Sequence, residues 1–112
     1  MSNFVYFIST DKIGHQDPDL GQVLMRDFFR KLAEASLKPT HILFMERGVK
    51  LLLPEFEAHD ALKRLHEEGI KLLACKTCLE FYDIGQRIAL GEVTDMPLLI
   101  KAMHDADRVI SL

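Results

Sequence analysis

The chain has two cysteines, Cys75 and Cys78, and they stand three residues apart in Cys75-Lys76-Thr77-Cys78. A cysteine attacks, or carries sulfur, as its thiolate, and an unperturbed thiol with a pKa of about 8.5 is little ionised at neutral pH. Three features of this segment favour the ionised form. Cys75 closes an apolar run, so backbone N–H groups of the next turn can point at its sulfur with the positive end of any helix that begins there. Lys76 places a cation beside the pair. Each thiol can donate a hydrogen bond to the other's thiolate. A fall of roughly two units would make most of the population thiolate at pH 7. The pair could then hold a persulfide, or close to a disulfide and release what it carried.

Other readings stay open at this point. A free cysteine is often a small buried hydrophobe, and Leu72-Leu73-Ala74-Cys75 is compatible with packing alone. A closed zinc site needs four ligands and the pair supplies two. The five histidines (His15, His41, His59, His66, His104) include no His-X3–5-His pair, so no metal is expected unless subunits share one. A thioredoxin-like role fits poorly, because that fold places its pair early in the chain and Pro97 reads as a helix start. No organic cofactor is called for. Gly14, His15 and Asp17 fall in a loop predicted to face the cysteines, where the histidine and the carboxylate could serve as acid, base or anion contact. Asp17 also reads as a helix cap and His15 as a solvated loop residue. Glu46 and Arg47 could reach the same edge, or form an ordinary surface pair. Gly14 and Gly21 lack the Gly-X-Gly-X-X-Gly spacing of a phosphate-binding loop.

The elements that must position these residues follow from the apolar pattern. Phe4 to Ser9, His41 to Met45 and Ile70 to Ala74 are short apolar runs that read as buried strands. Asp17-Pro18-Asp19 reads as a helix start, with Asp17 as cap and Pro18 in the first turn. Leu20, Val23, Leu24, Phe28 and Leu32 then recur at helical spacing as its apolar face, while Met25, Phe28 and Phe29 read as core or subunit interface. A second helix carries Ala58, Ala61, Leu62 and Leu65 and ends at Gly69. A short helical turn follows Cys75 through Leu79 and Tyr82, Val93 marks a brief strand, Asp95-Met96-Pro97 begins a last helix, and Arg108 to Leu112 closes as a strand. Alternating helices and almost wholly apolar strands imply one α/β domain over residues 1–112, a three-layer sandwich on a mostly parallel sheet. Such folds gather ligands outside the carboxyl ends of their strands, the edge where Thr10–Gln16 and Cys75–Cys78 both fall.

Composition narrows the classes of function. At 112 residues, 48% apolar and 28% charged, the chain is an ordinary globular length and mix. Its net charge of −3 and scattered basic residues argue against nucleic acid as partner. The stretch from Met1 to Ile8 has no basic segment and its apolar run is too short for a signal peptide or membrane span, so a cytoplasmic setting with no membrane association is expected. Thiols there stay reduced, which makes a structural disulfide unexpected.

Five segments also carry a family resemblance: Asp11 to Met25, Gly48-Val49-Lys50-Leu51, Cys75 to Tyr82, Gly91 to Met96, and Ala106 to Ile110. Together they resemble the DsrE/DsrF-like proteins, most closely the DsrE-like domain of YedF-type proteins, which are sulfurtransferase-like and linked to selenium metabolism. The resemblance implies a DsrE-like five-stranded sandwich, homo-oligomers or assemblies with related subunits, and sulfur relay through a cysteine persulfide. It selects Cys75 as the position matching the reactive cysteine after the third strand, with Cys78 as the second cysteine of the YedF-like branch. It further implies a TusA-like sulfur carrier as partner, since longer relatives bear such a domain ahead of this one. Lys76 stands where those relatives usually have glycine, and Gly14-His15-Gln16-Asp17 where they usually read Gly-X-Gly-Asp.

Overall fold

Strands and helices alternate along the whole of the chain, of which a computed structural model describes residues 3–112, so Met1 and Ser2 of the N-terminal reading lie outside it. The order is β1 (Phe4–Ile8), α1 (Pro18–Glu34), β2 (His41–Phe44), a 3₁₀ segment (Glu46–Leu52), α2 (His59–Glu67), β3 (Lys71–Cys75), α3 (Lys76–Tyr82), β4 (Glu92–Thr94), α4 (Met96–Asp105) and β5 (Arg108–Ser111). The sheet runs β4-β3-β2-β1-β5 with every pair parallel. This is the expected five-stranded α/β sandwich, and all its strands point their carboxyl ends to one edge.

The first three crossovers each step to the next strand in one direction, and the last returns to the free side of β1. Right-handed crossovers therefore put α4 on the opposite face from the earlier helices. The packing agrees. Phe29 of α1 stacks on Phe44 of β2 with ring centroids 6.4 Å apart, and Phe28 meets Tyr6 of β1 edge-on at 5.2 Å. On the other face Leu98, Ala102 and Asp105 of α4 line a cavity with His41, Leu73 and Thr94. The central strands β2 and β3 are sealed between these layers, with Ile42, Leu43, Phe44, Leu72 and Ala74 buried.

The apolar face of α1 differs from the expected one. Gly21, Met25, Phe29, Leu32 and Ala33 are buried, whereas Leu20, Val23 and Leu24 are exposed. The helix has two adjoining apolar stripes, and a close contact selects between them. A Cβ on Gly21 would lie 2.8 Å from the Ile13 carbonyl oxygen, and the Ile13 N–H donates to the Gly21 carbonyl at 3.1 Å. The loop thus locks the glycine stripe inward. Asp17 occupies the cap position of α1, but its carboxylate makes no capping hydrogen bond. Asp95 does cap α4, accepting from the Leu98 N–H at 3.3 Å. The 3₁₀ segment has no counterpart in the sequence reading: the apolar run Val49–Leu52 buries Val49, Leu51 and Leu52 without joining the sheet.

Candidate functional site

The site is built at the carboxyl edge of the three central strands. Leu72, Leu73 and Ala74 pair with Ile42, Leu43 and Phe44 of β2, which carries β3 through the core and delivers Cys75 at its end. On the other side Cys75 is in register with Thr94 of β4. The backbone then turns from extended to helical at Cys75, the cap residue of α3, with φ −64° and ψ 120°. Three residues on, one turn of helix brings Cys78 back over Cys75, near enough for each thiol to act on the other's ionisation. Asp83, left-handed at φ 55°, ends α3.

The two cysteines differ in surroundings. Cys75 is 2% exposed and its side chain makes no hydrogen bond to the helix it caps. Cys78 is half-buried, and its Sγ accepts a hydrogen bond from the backbone N–H of Glu46 at 3.1 Å. The backbone donor directed at sulfur thus comes from the segment after β2 and acts on the second cysteine. The sequence placed it in the turn after Cys75, acting on the first.

Glu46 reaches this position through an uncommon conformation. Its φ is +48°, left-handed and unfavourable for a residue with a side chain. The segment is held by the Met45 N–H, which donates to the Ile8 carbonyl at 2.9 Å, and by the Gly48 N–H, which donates to the Met45 carbonyl at 2.8 Å. A Cβ on Gly48 would sit 2.2 Å from the Ile8 carbonyl oxygen, so glycine is required for this close approach to β1. Strain of this kind is sustained where the surrounding structure over-determines the backbone, and it clusters at functional sites.

Burial pushes the Cys78 thiol above the ordinary thiol range, and the neighbouring Cys75 thiol pushes it the same way; the Glu46 N–H opposes them without prevailing. The thiolate is the reactive form, so a raised pKa shifts reactivity to higher pH. The alkylation rate of Cys78 in the native protein is therefore expected to be still rising at about pH 9, beyond the ordinary thiol midpoint. A rate already level by pH 8, read by peptide mass after timed iodoacetamide exposure, would contradict this placement.

Around the pair the edge is polar. Arg47 does not pair with Glu46. It forms a two-pronged ion pair with Asp11 after β1, Nε to Oδ1 at 3.1 Å and a terminal guanidinium nitrogen to Oδ2 at 3.2 Å. Lys50 lies over the Tyr82 ring, 4.5 Å from its centroid. Lys76 and Thr77 are exposed in the first turn of α3, and Lys76 lines a groove with Leu79, Glu80, Asp83 and Val93. Gly14, His15 and Asp17 line a separate shallow hollow with Ile13, Leu20 and Leu24, and neither cysteine contributes to it. Asp11, the Glu46 N–H, Lys50 and Tyr82 are the members of the edge that sequence reasoning assigned no role. Among the described residues no three His, Cys, Asp or Glu side chains converge as metal ligands, and the cysteines would supply two of the four a closed zinc site needs.

The model of the DsrE/DsrF-like family matches residues 6–112. The crystal structure of the YchN protein from E. coli superposes with a TM-score of 0.69 at 18% identity, covering 100% of both chains. The MTH1491 protein of Methanobacterium thermoautotrophicum gives 0.67 at 15% identity, again over 100% of both. The BT1422 protein of Bacteroides thetaiotaomicron gives 0.67 at 15% identity over 98% of this chain and 95% of its own. At these identities the likeness is one of fold. No curated protein matches the chain.

Proposed function

The chain belongs to the DsrE/DsrF-like family, which is related to sulfur relay, and from that premise we propose that it is a sulfurtransferase-like carrier of sulfane sulfur, or of selenium, held as a persulfide on Cys75 with Cys78 assisting. The observation that carries this reading is the placement of two cysteines, three residues apart, at the carboxyl end of a central strand, with a backbone N–H 3.1 Å from the second sulfur. A persulfide on Cys75 would sit where water and small reductants have little access, since the residue is almost wholly buried. A hydrogen-bond donor beside the second sulfur eases the formation and departure of a thiolate there. No organic cofactor or metal enters the reaction.

A cytoplasmic setting, where thiols stay reduced, suits such a carrier, and among the described residues no helix is long and apolar enough to cross a membrane. The exposed apolar side chains Val93, Met96, Leu98 and Val109, on β4, α4 and β5, support assembly into homo-oligomers. A TusA-like carrier is the partner proposed to exchange sulfur with it. The burial of Cys75 also favours a second reading, an assembly subunit whose cysteines are inert packing.

Exposure to a low-molecular-weight persulfide separates the two. A carrier gains sulfur in the native state, keeps it in dilute thiol and releases it to a small thiol once unfolded. An inert subunit gains none until it is unfolded.

A further inference from the structure

The surroundings of the two cysteines decide which sulfur a donor can meet. Cys75 is 2% exposed, enclosed by the paired ends of β2 and β4 and by α3. Cys78 is half-buried in the first turn of α3, which also carries exposed Lys76 and Thr77, and Phe81 one turn further on is 82% exposed. A donor too large to enter the fold can touch the outer sulfur only. The Glu46 N–H lies on that same sulfur at 3.1 Å, where it stabilises negative charge whenever Cys78 departs as a thiolate.

Resting on the sulfur-carrier reading, we infer that sulfur enters on Cys78 and is handed inward to Cys75, with the Glu46 N–H stabilising the thiolate that Cys78 becomes as it lets go. In the first step the Cys78 sulfur attacks the terminal sulfur of a donor persulfide. The donor's S–S bond breaks, its thiolate leaves, and the proton Cys78 carried passes to that leaving group. In the second step the Cys75 thiolate attacks the outer sulfur of the Cys78 persulfide. That S–S bond breaks with its electron pair going to Cys78 Sγ, beneath the Glu46 N–H, and Cys78 is reprotonated. Both steps exchange one S–S bond for another and consume no oxidant or reductant. Attack on the inner sulfur instead would close the Cys75–Cys78 disulfide and expel sulfide.

Tryptic cleavage after Lys76 puts the two cysteines on different peptides, so cysteine persulfide can be used as donor with alkylating quenches at successive times. The expected course in the wild type is a persulfide first on the Cys78 peptide, declining as the Cys75 peptide gains it. Cys78→Ala and Cys78→Ser should load Cys75 at least roughly tenfold more slowly. Loading of Cys75 first, or at the wild-type rate in both variants, would overturn the inward relay while leaving the carrier intact. Free sulfide with a Cys75–Cys78 disulfide would overturn it in favour of redox discharge. Failure of the wild type to load at either cysteine would remove the carrier reading itself. The wild-type time course decides the order even if a variant folds poorly.

Discussion

Replacing Cys75 with alanine is expected to leave a folded protein that no longer retains sulfane sulfur. The side chain is almost wholly buried and makes no hydrogen bond to the helix it caps, so its removal leaves a small cavity with no polar group stranded. The cost should be about 1 kcal/mol. Serine is a harsher test, because a hydroxyl brought to the same place without a partner costs about 1–3 kcal/mol. Sulfur delivered to Cys75→Ala would remain on half-buried Cys78, open to any small thiol. After loading and gel filtration in a dilute thiol, the retained sulfur should fall at least roughly tenfold relative to wild type. Equal retention would show that Cys75 is not the resting place.

Gly48→Ala is expected to be the most damaging single methyl in the chain. The added Cβ would stand 2.2 Å from the Ile8 carbonyl oxygen, a backbone atom that cannot rotate aside. Either β1 or the 3₁₀ segment must shift. Overpacking against backbone belongs at the upper end of the usual range, about 3 kcal/mol. For a domain of this size that lowers the melting temperature by on the order of 10 °C. The same displacement would draw the Glu46 N–H from Cys78, so the pH dependence of Cys78 alkylation should change together with the melting temperature. An unaltered melting curve would contradict the packing described for this segment.

Much of the fold was legible because it rests on local chemistry. Apolar runs bounded by turns gave the strands, Pro18 and Pro97 began helices, and Gly69, at φ +95°, ended one. Alternation then forced a parallel sheet, and a parallel sheet brought Cys75 to the carboxyl edge. The approach of Cys78 to Cys75 followed from helical spacing once a helix began at Lys76. What escaped depends on long-range fit. The Asp11–Arg47 pair joins residues 36 apart that meet because β1 and β2 are neighbours. The left-handed Glu46 owes its conformation to Gly48 lying on β1, and nothing in Met45-Glu46-Arg47 announces it. The inward stripe of α1 was set by Gly21 against Ile13, a choice invisible to periodicity when two stripes are apolar. His15 and Asp17 share the loop after β1, yet they line a hollow with Leu20 and Leu24 to which neither cysteine contributes.

Sulfur carriage by the cysteine pair of the native protein is read most directly in the intact mass of the wild-type chain after brief exposure to a low-molecular-weight persulfide and removal of the excess donor. A gain of one sulfur atom per chain is expected, kept in dilute thiol and lost when the chain is unfolded with a small thiol. A mass unchanged in the native state, with both cysteines reacting only after unfolding, would contradict it.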